Sequence, residues 1–123
     1  MRLVLAILAA LSMASPAFAE EYEKGPNGGL MLDVAGIDAE LMTSGNTVTI
    51  NIFEAYKPKP ISTKGYTAAV LIGSGTNREP VALMPSGENS LKGEAKAAIV
   101  PNATITLTIK TAEGKSGQVK FKK

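Results

Sequence analysis

The chain has 123 residues, 13 basic and 11 acidic side chains, and no cysteine, histidine or tryptophan. Without cysteine there is no disulfide, thiol nucleophile, haem-attachment motif or thiolate metal site; without histidine the commonest general base and transition-metal ligand is missing. A formal net charge of +2 gives no electrostatic reason to expect nucleic acid as a partner, and the few aromatics leave no stacking platform for bases or sugars.

Arg2, the apolar run Leu3 to Ala14, the break at Ser15-Pro16 and the small-x-small site Ala17-Phe18-Ala19 stand in the order of a secretory signal peptide. The run is shorter than the ~20 residues a membrane-spanning helix needs. Residues 1–19 are therefore expected to be removed. What remains is a periplasmic or secreted domain of about 100 residues, enough for one core and without a stable membrane anchor. Residues 20–28 read as a flexible lead, ending in the turn chemistry of Gly25-Pro26-Asn27-Gly28-Gly29. Residues 29–123 read as a single domain.

From there the hydrophobic period is two. Leu30 to Val34 and Ile37 to Thr43 predict two strands, the second with Ile37, Ala39 and Leu41 on one face. Thr47 to Phe53 alternates cleanly, Val48, Ile50 and Ile52 inward and Thr47, Thr49 and Asn51 outward. Lys57-Pro58-Lys59-Pro60 interrupts as loop or edge. Tyr66 to Gly73 reads as a strand buried on both faces. Glu79 to Met84 returns between turns, with Pro80 at its start and Pro85 at its end. Ser90 to Ala98 fits either a strand or a helical turn. Ala103 to Lys110 repeats the alternation with Ile105, Leu107 and Ile109 inward, and Gln118 to Lys122 closes the chain with Val119 and Phe121 inward. Turn signals every eight to twelve residues predict an all-β fold: an immunoglobulin-like or fibronectin-like antiparallel β-sandwich of seven or eight short strands. The expected core adds Leu32, Val34, Val70, Ile72, Val81 and Leu83 to the inward residues named above.

Candidate chemistry is sparse, and the chain is not expected to be an enzyme. The serines sit in turns, and none lies in a Gly-x-Ser-x-Gly elbow. Asp33, Asp38 and Glu40 are close in sequence, and Asp38 and Glu40 share a strand face. Polar-out alternation predicts that face to be solvated. Met31, Met42 and Met84 lie in strand-like contexts and are expected to fill core gaps. The alternative is a copper(I) site, because thioethers select Cu(I); the chain would then be a small periplasmic copper chaperone or sensor. No cofactor is otherwise implied. The stretch Tyr56-Lys57-Pro58-Lys59-Pro60 is the best candidate for recognition, being stiff, basic and tipped by an aromatic. Its plainer reading is a proline-stiffened crossover between sheets. The tail Lys120-Phe121-Lys122-Lys123 would blunt an edge strand with charge.

Three segments resemble small exported β-domain proteins associated with heavy-metal efflux and resistance loci. Similar modules stand at the front of the periplasmic adaptor subunits of metal-exporting pumps. The segments are Gly25-Pro26-Asn27-Gly28-Gly29, Lys59-Pro60-Ile61-Ser62-Thr63-Lys64-Gly65, and Val81 through Gly93. Relatives often carry a histidine before the Gly-Gly pair, where this chain has Asn27, so the resemblance implies no metal ligand there. It implies a shared β-fold, no enzymatic reaction, and a role as a non-catalytic protein-interaction accessory of envelope metal efflux. The contact to an envelope protein would then use a sheet edge or the loop of Tyr56, Lys57 and Lys59.

Overall fold

The computed structural model describes residues 23–57, 59–74 and 76–122. The expected leader, residues 1–19, lies outside the described residues. The fold is all-β. Its strands are β1 (Glu23–Lys24), β2 (Leu30–Val34), β3 (Ile37–Ser44), β4 (Thr47–Glu54), β5 (Thr67–Ser74), β6 (Asn77–Ser86), β7 (Ser90–Glu94), β8 (Thr104–Lys110) and β9 (Ser116–Lys122). Neighbours are antiparallel, in the order β1-β2-β3-β4-β7-β6-β5-β8-β9.

β6 is the joint of the molecule. Its residues Asn77 to Leu83 pair with β5, and Met84 to Ser86 pair with β7. Among the described residues the strands thereby join into one curled sheet of nine strands, where the sequence pattern predicts two facing sheets of seven or eight strands in all. The additional strand is β1, formed by Glu23–Lys24 within the segment expected as a flexible lead. Ser90–Glu94 resolves as strand, bonded to β4 on one side and β6 on the other. β6 also runs through Pro80 and past Pro85, beyond the end that Pro85 predicts. Each stretch of β6 pairs with a named strand on one side only, so a missing proline N–H can face the unbonded side.

The curl brings the far strand back to the near one. A Cβ added to Gly117 on β9 would stand 2.8 Å from Val34 Cγ2 and 3.1 Å from the Ala35 amide nitrogen. The core fills the concave side. Val48, Ile50, Ile52, Leu91, Ile105, Leu107 and Phe121 are fully enclosed, each contributing about 1.5–3 kcal/mol by leaving water. Leu32, Ile72 and Val119 are half-buried at the margin of this cluster; the other predicted core residues are buried. Leu91, Ala39 and Tyr66 join them.

The β2–β3 hairpin turns on Ala35 and Gly36 with φ of 53° and 84°, the paired left-handed conformation that matches the twist of a tight hairpin. This turn fixes the register of β2 on β3, and through it the placement of every side chain described next.

Candidate functional site: an acidic cleft on the outer face

Residues opposite each other in an antiparallel ladder share a face. One row across the convex side is therefore Met31, Glu40, Asn51 and Ser90, and the adjoining row is Asp33, Asp38 and Phe53. The sequence predicts this side of β3 to be solvated. It is not: Glu40 is 0 % exposed and Asp38 4 %, with Asn51 and Phe53 also buried. Two loops cover them. Strand alternation correctly separates the two faces of β3 but does not reveal that the second face is roofed.

Glu40 anchors the first loop. Its Oε2 accepts the backbone N–H groups of Asn27 (2.8 Å) and Gly29 (2.9 Å). Its Oε1 accepts the side-chain amides of Asn27 (2.9 Å) and Asn51 (3.3 Å). Four donors around one carboxylate satisfy a charge that would otherwise be costly to enclose. The loop closes on itself through Gly25 N–H to Gly29 O (2.8 Å) and Gly28 N–H to Gly25 O (2.9 Å). Its glycines are required by closeness. A Cβ on Gly25 would meet Glu40 Cδ at 2.5 Å, and one on Gly29 would collide with the Leu41 carbonyl.

The polar chain continues across the sheet. Ser90 Oγ donates to Asn51 Oδ1 at 2.6 Å, and the Ser90 carbonyl accepts from the buried Thr63 hydroxyl at 3.1 Å. Thr63 belongs to the second covering segment, which leaves β4 and folds back along it. There Ile61 N–H donates to Ile52 O (3.0 Å), and Pro60 forms a bridge with Phe53. Asn27, Glu40, Asn51, Ser90 and Thr63 thus tie both loops to one face.

Asp38 is placed differently. Its Oδ2 accepts the Tyr56 N–H at 3.2 Å, while its Oδ1 is enclosed without a hydrogen-bond partner. Asp33 is its direct cross-strand neighbour. Burial pushes the Asp38 carboxyl up to about 6, helped by a side-chain hydrogen bond with Asp33 and by the charges of Asp33 and Glu23; the Tyr56 N–H acts the other way. Like charges directly opposite on a ladder are unfavourable. Among the described residues, Glu23, Asp33 and Asp38 have no ion-pair partner.

Tyr56 completes the arrangement. Its backbone is left-handed, φ 65°, a region that bulky residues seldom adopt. Its side chain is 88 % exposed. Glu23, Met31, Asp33, Asp38 and Tyr56 line a cleft of about 180 Å³. An adjoining depression of about 460 Å³ adds Pro26, Lys24 and Lys57. A larger depression of about 530 Å³ lies beside residues 95–104, lined by apolar residues together with Arg78 and Glu79; the carboxyl with a raised pKa is that of Asp38.

The expected recognition residues are thus divided. Tyr56 and Lys57 line the acidic depression, and Lys59 is not among its lining residues. Lys57 and Lys59 instead both lean on Glu54, with Nζ to oxygen distances of 3.8 and 3.9 Å, pairs worth at most ~1 kcal/mol at such exposure. The methionines do not fill the core. Met31 and Met42 are half-buried and Met84 is 64 % exposed, all on the convex side. Met42, Thr49, Lys92 and Met84 form one row over β3, β4, β7 and β6. Met42 and Met84 therefore lie three strand spacings apart, about 14 Å. Among the described residues no three Asp or Glu side chains are grouped to hold a metal ion. Comparisons with family models, curated proteins and solved structures found no match.

Proposed function

We propose that the protein is a non-catalytic, exported binding module, an accessory of the envelope, whose contact surface is the acidic cleft together with the Tyr56 loop. One observation carries this reading. Tyr56 is an aromatic residue held in a strained backbone conformation, almost wholly exposed, and fixed there by the buried Asp38 carboxylate, which accepts its N–H. Nothing in the core requires an aromatic side chain there. Strain kept at an exposed position is a mark of a site that serves a contact.

The basic flank supports the same reading. Lys57 and Lys59 share Glu54, so each retains unused donors toward a partner. The sheet edges are less suited: among the described residues β1 has two, and β9 carries Lys120 and Lys122. An envelope location follows from the reading of residues 1–19, and association with metal efflux follows from the resemblance of the three segments. Envelope extracts passed over the immobilised protein test the contact. Capture of a partner should be lost when Tyr56, Lys57 and Lys59 are replaced by alanine. Undiminished capture by that triple variant would remove the loop from the contact.

A further inference from the structure

The two convex flanks of the curled sheet differ in charge. Outside β2 and β3 the strand residues are acidic, as described above. Outside β5, β6, β8 and β9 they are not. Opposite residues of a ladder share a face, so Lys110 on β8 stands outward beside Thr67 and Ser116, and Lys120 on β9 beside Thr106 and Leu71. Ala69 and Thr108 fill the row between them. Met84 on β6 continues the face to Lys92 on β7. Among the described residues the outward positions of β5, β6, β8 and β9 hold no carboxylate. Glu79, the acid of β6, stands in the inward row with Ile72 and Ile105, and its carboxylate accepts the Lys96 N–H at 2.8 Å.

Edge protection accounts for Lys120 but not for the other two lysines. β7 and β8 are bonded on both sides, so Lys92 and Lys110 blunt no edge. Among the described residues Lys92, Lys110 and Lys120 have no ion-pair partner, and all three are exposed. Lys110 faces Ser116, four residues from Lys120, which sets these two about 13 Å apart; Lys92 is three strand spacings from β8, about 14 Å. Separations beyond the Debye length of ~8 Å leave little mutual repulsion in physiological salt. The side chains between them are short, so the lysines project furthest. A shallow depression of about 400 Å³ sits on this face, lined by Thr67, Ala69, Thr108, Lys110 and Ser116 among others. The Thr108 hydroxyl oxygen accepts the Gln118 amide at 3.0 Å, so its O–H remains to donate.

We propose that the convex face of β5, β6, β8 and β9 docks on an anionic phospholipid surface through Lys92, Lys110 and Lys120, with a headgroup phosphate seated beside Lys110. Charge complementarity gives the sign of the partner. The spread of the charge gives its form: three cations set far apart on a convex face, with no aromatic anchor among them, suit a surface of dispersed phosphates better than the packed centre of a protein interface. In the depression the Lys110 ammonium stands among the hydroxyls of Thr67, Thr108 and Ser116, all donors that a phosphate oxygen accepts. Met84, 64 % exposed at the margin of the face, adds apolar surface to the contact. The proposal does not rest on the Tyr56 contact. The Tyr56 loop lies over β3 and β4, which β7 and β6 separate from this face, so a docked molecule still presents it to a protein partner.

The test is sedimentation of the purified chain with two kinds of vesicle, phosphatidylcholine alone and phosphatidylcholine mixed with phosphatidylglycerol, at low and at raised salt. The expected result is binding to the phosphatidylglycerol vesicles only, weakening severalfold as salt rises. Lys92→Ser, Lys110→Ser and Lys120→Ser should each weaken it about fivefold, the equivalent of ~1 kcal/mol, with Lys110→Ser the largest loss. These side chains are exposed, so their replacement leaves folding intact. Lys96→Ser removes the same charge from the loop after β7, off the face, and should change binding by less than about twofold. Binding to neither vesicle, equal binding to both, binding indifferent to salt, or an equal loss from Lys96→Ser would overturn the proposal. So would displacement of the chain from the vesicles by soluble polyglutamate at equal charge, which would make the partner an acidic polypeptide.

Discussion

Asn27 is bound twice by Glu40: its backbone N–H lies 2.8 Å from one carboxylate oxygen and its side-chain amide 2.9 Å from the other. A residue of the entry loop and a residue in the middle of β3 thus form a single unit. The loop over the convex face is held by a buried charge rather than by apolar contact, and the acidic cleft beside it depends on that hold.

Replacing Glu40 should therefore cost more than its position on an outer face suggests. Glu40→Ala strands four donors in an enclosed space, and a loss of about 3–5 kcal/mol in denaturant unfolding is expected. Glu40→Gln keeps the shape but points an amide at donors, and should cost on the order of 2 kcal/mol. A loss below ~0.5 kcal/mol for either variant would mean that the carboxylate is solvated in solution.

The glycines of the entry loop separate closeness from conformation. Gly25→Ala places a carbon 2.5 Å from Glu40 Cδ and should destabilise by about 2 kcal/mol or more. Gly28 has φ 87° and open space around it, so Gly28→Ala should cost only about 1 kcal/mol through backbone strain. Thermal melts of the two variants side by side check the ranking, which reverses if the loop stands away from β3.

Asp38 should limit stability at neutral pH. Its carboxyl is raised to about 6 from 3.8, so between those values the folded chain binds more protons than the unfolded one. Stability therefore falls as pH rises through that window, and the penalty is complete above about 6. Asp38→Asn removes the charge and still accepts the Tyr56 N–H. It should stabilise the protein at pH 7 by on the order of 2 kcal/mol, a gain that shrinks toward pH 4. Melting curves of both proteins across that range measure it.

Tyr56 offers the complementary case. Glycine adopts φ 65° without strain, so Tyr56→Gly should leave stability unchanged or raise it by up to ~1 kcal/mol. The same variant should abolish partner capture. Unfolding and capture measured on one preparation distinguish this from a structural role, in which both would fall together.

Much of the fold was legible from period-two alternation. Val48, Ile50 and Ile52, and again Ile105, Leu107 and Ile109, fall buried where the pattern puts them. Leu91 was hidden because Ser90, Lys92 and Glu94 around it are as compatible with a turn as with a strand; its burial comes from being bonded between β4 and β6. The joint at β6 was obscured by Pro80 and Pro85, which argue against a continuous central strand unless each half pairs on one side. The site was legible only in its exposed part, Tyr56 and Lys57. Asp38 and Glu40 carry the signature of a wet face, and their burial depends on two loops that arrive from 13 residues earlier and 18 later. No local pattern in β3 encodes that covering.

The most direct measurement is the titration of the Asp38 side-chain carboxyl, followed through its carbon-13 resonance in the free protein. The account predicts a midpoint near 6, above the ordinary aspartate range because the carboxyl is buried beside Asp33. A midpoint in the ordinary aspartate range would show a carboxylate already solvated, and would contradict the central claim that the fold encloses Asp38 beside Asp33 beneath the Tyr56 loop.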